Sequence, residues 1–209
     1  MNKTTKYSGT LALGFLLLAG AQGAMAGTPD AASDCVVCHN DNGISDEAEV
    51  PTIAGASDYF LENQLAVFGG EARPCEADYF EQESDVDAED HCVIASNLSE
   101  DEQIEVAAYF AAKPFKPAQQ EVDGELAAKG ASIHEANCER CHSDGGSLAL
   151  DDAGILAGQW KHYLIEQFEY YKADKRWQPE KMQPEMDLSD EEMKALAEFY
   201  AQEGLKRFN

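Results

Sequence analysis

One five-residue pattern occurs twice in this chain, as Cys35-Val36-Val37-Cys38-His39 and as Cys138-Glu139-Arg140-Cys141-His142. C-x-x-C-H is the attachment signature of a c-type haem. Its spacing has a chemical reason. Two thiols on one helical turn can add to the two vinyl groups of the porphyrin, and the adjoining histidine then lies under the iron as its proximal ligand. The pattern therefore predicts two covalently attached haem c groups. Cys35, Cys38, Cys138 and Cys141 are the expected thioether anchors, and His39 and His142 the expected iron ligands. A zinc site would need further paired Cys or His, and those that remain are few and mostly scattered. A thioredoxin-like centre would need a βαβ context, which the sequence does not show.

The first 26 residues say where these cysteines are used. Lys3 and Lys6 give a basic start, Leu11 to Leu18 a short apolar core, and Ala24-Met25-Ala26 an A-x-A cleavage site. That is the pattern of a secretory signal peptide, cut before Gly27, so the mature chain is expected in the periplasm. No later stretch approaches the roughly 18 apolar residues of a membrane helix. Cleavage removes two lysines and no acids, leaving 13 Lys and Arg against 40 Asp and Glu. Such a surface excludes nucleic-acid binding by phosphate neutralisation. With 44% hydrophobic residues the chain can still bury a core, unlike a disordered acidic tail. Outside the cytoplasm thiols tend to pair. Haem attachment uses four of the six cysteines. The remaining two, Cys75 and Cys92, are expected to form a disulfide, worth about 3 kcal/mol by loop entropy.

The two motifs stand 103 residues apart, and so do Ala54/Ala157, Gly55/Gly158, Phe60/Tyr163, Leu61/Leu164, Gln64/Gln167 and Arg73/Arg176. Further on the offset is 90, pairing Leu98-Ser99 with Leu188-Ser189 and Tyr109-Phe110 with Phe199-Tyr200. One unit has been duplicated. The first copy carries 13 extra residues in an acidic insertion over 74–90. The expected division is a signal peptide (1–26), a first domain (27–113), a proline-stiffened linker (114–117) and a second domain (118–209). Ser99-Glu100-Asp101-Glu102 and Ser189-Asp190-Glu191-Glu192 are capping boxes that open helices. Asp58 to Phe68 and Trp160 to Tyr171 read as helices, and so does Ala118 to Asn137. No run alternates at period two, so the fold class is all-α, with no real sheet.

Two C-x-x-C-H units in tandem, each closing on L-S-x-x-E and an aromatic pair, resemble the dihaem cytochrome c4 family. Tyr109-Phe110, Pro117-Ala118, the second haem motif, Ile155-Leu156-Ala157-Gly158-Gln159-Trp160 and Glu180-Lys181-Met182 further resemble the cytochrome subunit of flavocytochrome c sulfide dehydrogenase. The resemblance implies two tandem class I cytochrome c domains related by a pseudo-twofold axis, with the haems facing each other near the interface. It also implies a flavoprotein partner that oxidises sulfide, and a haem subunit that carries electrons to a downstream periplasmic acceptor.

Distal ligands follow from the same resemblance. The family has a Met six or seven residues before the Leu of the closing helix. Met182, six before Leu188, is the implied sixth ligand of the second haem; Met186 reads as packing and Met193 as core. The first unit has no Met beyond Met1 and Met25. At the family position stand His91 and Cys92, seven and six residues before Leu98. Three arrangements are open. His91 replaces Met and gives a bis-histidine iron of lower potential. Cys92 binds as thiolate, which a disulfide would prevent. Or the position is vacant. His91 is the expected ligand. Pro51 holds the family's place for the carbonyl that orients the proximal histidine, and the second unit has Gly154 there, whose carbonyl could still serve. His134 is expected on the haem-facing or interface side of a helix, and His162 on the surface.

The expected function is thus electron transfer. The alternatives are a free shuttle to a terminal oxidase and a haem enzyme oxidising a sulfur compound at the first haem. The chain has no G-x-G-x-x-G flavin fingerprint of its own. The excess of acids has two readings, adaptation to high salt and a docking face for a basic partner; the spread of acids along the whole chain favours the first.

Overall fold

A computed structural model describes residues 27–75 and 90–208. The signal-peptide reading over 1–26 and most of the acidic insertion lie outside the described residues. Among the described residues seven α-helices of five or more residues carry the fold, a kinked four-residue helix spans Ser143–Gly146, and no strand occurs. In the first unit these are α1 (Cys35–His39), α2 (Asp58–Gly69), α3 (His91–Asn97) and α4 (Glu100–Ala111). In the second they are α5 (Gly124–Ile133), α6 (Lys161–Lys172) and α7 (Asp190–Arg207). A π-helical turn, His134–Cys138, extends α5 into the second haem motif.

Side-chain caps set the helix starts. Both S-x-x-E sequences form complete capping boxes, with Ser99 and Glu102 opening α4 and Ser189 and Glu192 opening α7. Ser57 accepts from the Phe60 amide at α2, and Asp90 from the Val93 amide at α3. The helix expected from Ala118 begins later. Residues 112–123 run without helix, and α5 starts where the Asp123 carboxylate accepts from the amides of Glu125 and Leu126. Ala118 is instead tied down by its amide, which donates to the Gly158 carbonyl.

The duplication is visible in the backbone hydrogen bonds. The Gly43 carbonyl accepts from Ile53 and Ala54; the Gly146 carbonyl, 103 residues on, accepts from Leu156 and Ala157. The Gly55 amide donates to Phe110, and the Gly158 amide to Tyr200. Gly43 and Gly146 have φ of +71° and +76°, a region that glycine enters without strain. Each unit has its own core: Leu61, Val106, Ala107 and Phe110 in the first, Leu164, Phe168, Leu196 and Tyr200 in the second. In the second unit α5 crosses α7 so closely that a Cβ on Gly130 would run into the Ala195 carbonyl. Fully burying Leu196 there contributes roughly 2 kcal/mol.

The C-terminal end of α7 carries a pH-sensitive contact. Burial pushes the Glu203 carboxyl up, but Lys206 and Arg207, both donating at 2.6 Å, outweigh it and hold the group below its ordinary value of 4.5. The stabilisation is therefore complete above pH 4.5 and lost as pH falls through the lower native value. We expect Glu203→Gln to flatten the dependence of unfolding stability on pH below 4.5. Denaturant melts at pH 3 and pH 6 check this.

The units meet through polar contacts that cross between them. The Thr52 amide donates to Gln159 Oε1 at 2.9 Å, and Gln159 Nε2 returns a bond of 2.7 Å to the Thr52 carbonyl. Trp160 Nε1 donates to the Ser45 carbonyl, the Tyr163 amide to Ala48 and the Trp177 amide to Ala72. At the centre, Arg73 donates to Gln64 of its own unit (2.7 Å) and Gln167 of the other (3.1 Å), while Arg176 donates to Gln167 (2.6 Å) and Gln64 (2.8 Å). These four residues are two repeat-related pairs. Their reciprocal bonding is what a twofold relation between the units requires.

Candidate functional site

Both C-x-x-C-H motifs open onto one cavity of about 620 Å³, walled by residues of both units. Cys35, Cys38 and His39 line it from one side, and Cys138, Cys141 and His142 from the other. All four of these cysteines are unpaired, whereas Cys75 and Cys92 are joined by a disulfide with Cα atoms 5.1 Å apart. Burial pushes the Cys35 and Cys138 thiols up to about 11, so neither is a resting thiolate. The α1 helix consists of the first motif itself, which sets its two thiols and histidine on successive turns of one short rod.

His39 is buried, and its Nδ1 lies 2.9 Å from the Pro51 carbonyl. That contact fixes the ring and leaves Nε2 as the nitrogen free for a metal. Burial, with His91 nearby, pushes its pKa down to about 4, so the ring is neutral and able to ligate. The second unit differs. Burial likewise pushes His142 down to about 4, but its Nδ1 is buried with no hydrogen-bond partner among the described residues. The carbonyl expected from Gly154 does not serve. Gly154 adopts φ of +77°, which a proline cannot, and a Cβ there would meet the Phe60 ring of the first unit at 2.7 Å. The Pro51/Gly154 difference thus makes room for the neighbouring unit.

His91 faces His39. Their ring centroids are 6.3 Å apart. Metal–imidazole bonds of about 2 Å on either side of one ion would separate the rings by roughly that distance. His91 begins α3, a helix that sequence periodicity alone does not reveal. Its ring stacks on Phe68 at 4.5 Å and 13°, and its Nδ1 lies 3.3 Å from the Cys75 carbonyl. Cys92, its neighbour, is buried with Phe68 and Ala95 and is not part of the cavity wall. Met182 and Met186 both line the cavity; Met186 is buried in the second core and Met182 is half-buried against it. His162 is exposed, 3.9 Å from Glu49. His134 departs from its expected place. It is buried inside the second unit, with Nδ1 3.0 Å from the Tyr200 hydroxyl and Nε2 on Glu139, and it does not line the cavity.

The arginine–glutamine square also lines the cavity, a feature that sequence reasoning registered only as repeat matches. Tyr163 stands beside both guanidiniums. Burial alone would raise its pKa, but Arg176 and Arg73 outweigh this and hold it below the ordinary 10. Burial, with Arg176 close by, pushes Arg73 down to about 10, and its Nε is buried with no hydrogen-bond partner among the described residues. The cavity therefore offers four free thiols, neutral imidazoles and two cationic groups. That donor set fits two haem c groups, whose carboxylates the arginines suit.

Comparison with known proteins agrees with this geometry. The structure superimposes on cytochrome c4 of Acidithiobacillus ferrooxidans with a TM-score of 0.61 and 25% identity, covering 81% of this chain and 98% of that one. The fold is that of cytochrome c4, two cytochrome c domains in tandem. Reduced recombinant cytochrome c4 from Pseudomonas stutzeri gives a TM-score of 0.65 at 20% identity, covering 81% and 93%. In sequence, cytochrome c4 of Pseudomonas aeruginosa is 27% identical over 175 residues, 79% of this chain and 80% of that protein, a distant relationship. Thiosulfate dehydrogenase (TsdBA) from Marichromatium purpuratum matches with a TM-score of 0.64 and 26% identity, over 80% of this chain but 36% of that one. Residues 125–199 match the family model of cytochrome C oxidase, cbb3-type, subunit III, so that match lies within the second unit of the cytochrome c4-like fold. No helix among the described residues is long and apolar enough to cross a membrane.

Proposed function

We propose that this chain is an exported electron-transfer protein carrying two haem c groups. One is attached at Cys35 and Cys38 with His39 and His91 as iron ligands, the other at Cys138 and Cys141 with His142 and Met182. The observation that carries the reading is the single cavity onto which both motifs open, with all four of their thiols unpaired. Haem iron, when bound, supplies the one-electron couple. The chain supplies the rest: thiols that anchor, imidazoles held neutral by burial, and a largely apolar wall. Arg73 and Arg176 bind acidic groups from the shared cavity and, through Gln64 and Gln167, tie those groups to both units. Two imidazoles at the first site favour a lower potential than imidazole plus thioether at the second, so electrons run from the first unit to the second.

The donor we infer is a flavoprotein sulfide dehydrogenase, the partner implied by the motifs of the second unit, with a periplasmic acceptor downstream. The likeness to a thiosulfate dehydrogenase supports a donor that oxidises an inorganic sulfur compound. A flavin absorbance co-purifying with the native protein supports the flavoprotein donor; its absence favours a free shuttle. For the haem content, the alkaline pyridine haemochrome spectrum and the intact mass are expected to show two haems on a chain beginning at Gly27. One haem or none overturns the proposal.

A further inference from the structure

We propose that the Cys75–Cys92 disulfide is a latch on His91, and that opening it makes the first haem site accept small external ligands such as cyanide. The inference rests on the reading of His91 as the sixth ligand. Its basis is the way His91 is held. The Cys75 carbonyl accepts from the His91 backbone amide at 3.2 Å and lies 3.3 Å from the ring Nδ1. One residue thus positions both the backbone and the ring of the histidine, and the disulfide ties that residue to Cys92, the next residue along. The ring stacks on Phe68, and Phe68 is itself packed with Cys92 and Ala95 in a small cluster that Cys75 borders, apart from the two main cores. The disulfide is therefore part of the wall against which His91 stands. Cut the bond, and the covalent tie between Cys75 and the residue that follows His91 is gone.

Exposure gives the latch a direction. Cys75 is partly exposed while Cys92 is buried, so an external thiolate meets the Cys75 sulfur first. With a dithiol the exchange is balanced. One of its sulfurs bonds to Cys75 and Cys92 leaves as a thiol; the second closes on the first and releases Cys75. The dithiol ends as a cyclic disulfide, and its two electrons and two protons reside in two protein thiols. The liberated Cys92 does not take the histidine's place, because it lies off the cavity wall that His91 lines.

The test uses the full-length, haem-loaded protein. Cyanide is titrated into the ferric form, and the paramagnetic resonance signal of the first haem is followed. In the Cys75→Ala/Cys92→Ala variant, cyanide affinity at the first haem is expected to rise by about tenfold or more over the disulfide form, with the second haem unchanged. Wild-type protein treated with a dithiol and capped with iodoacetamide provides the same comparison without a substitution, and serves if the double variant loads haem poorly. His91→Ala is measured alongside. If His91→Ala leaves the first haem unaltered, the ligand reading itself is wrong. If His91→Ala opens the first haem but both disulfide-free forms bind cyanide as the wild type does, the ligand reading stands and the latch is refuted.

Discussion

His91→Met is expected to raise the potential of the first haem by about 0.1 V or more, a fraction of the roughly 0.8 V that axial ligands command. The cause is local. A thioether stabilises ferrous iron relative to a second imidazole, and His91 stands opposite His39 at a ring separation suited to one shared ion. The second haem should move far less, since the ring contacts of His91 are His39 and Phe68 of its own unit. The potential difference that drives electrons from the first unit to the second would shrink or vanish. A spectroelectrochemical titration resolves both couples. Two unchanged potentials would mean that His91 is a wall residue stacked on Phe68 and nothing more.

The second large effect is expected at the other end of the wire. Met182→Ala should remove the thioether from the second haem, abolish its weak sulfur-to-iron band at the red edge of the spectrum and lower its potential by about 0.1 V or more. Met186→Ala should instead act on stability. Met186 is buried in the second core, and its truncation costs roughly 2–5 kcal/mol. The two variants therefore separate by kind, one changing the spectrum and the other the melting curve. If Met186→Ala took the band away and Met182→Ala left it, the ligand would be four residues later than the spacing to Leu188 implies.

Much of this was legible before any coordinates, for a physical reason. Covalent attachment demands a fixed spacing of two thiols and a histidine, so the motifs declare the haem sites without help from tertiary structure. Capping boxes are equally local, and Ser99 and Ser189 open their helices where expected. Contacts at long range were another matter. Gln64, Arg73, Gln167 and Arg176 were visible as repeat matches, but nothing in a linear offset says that the copies face each other and exchange bonds. The pairing of Thr52 with Gln159 has no counterpart in the repeat and left no signal at all. His134 is misplaced in the sequence reading because one of its partners, Tyr200, lies 66 residues further on, beyond any local pattern. The late start of α5 reflects a competition that propensity misses: the Ala118 amide is already committed to Gly158, and Asp123 supplies the first cap.

The shared cavity has a consequence for how the two halves depend on each other. Its walls come from both units, and the Gln159–Thr52 clasp and the arginine–glutamine square close only when the units are together. A group lodged there would touch both halves at once. Under the proposed function, losing either porphyrin would therefore loosen the seam as well as its own unit, and the two halves would melt as one.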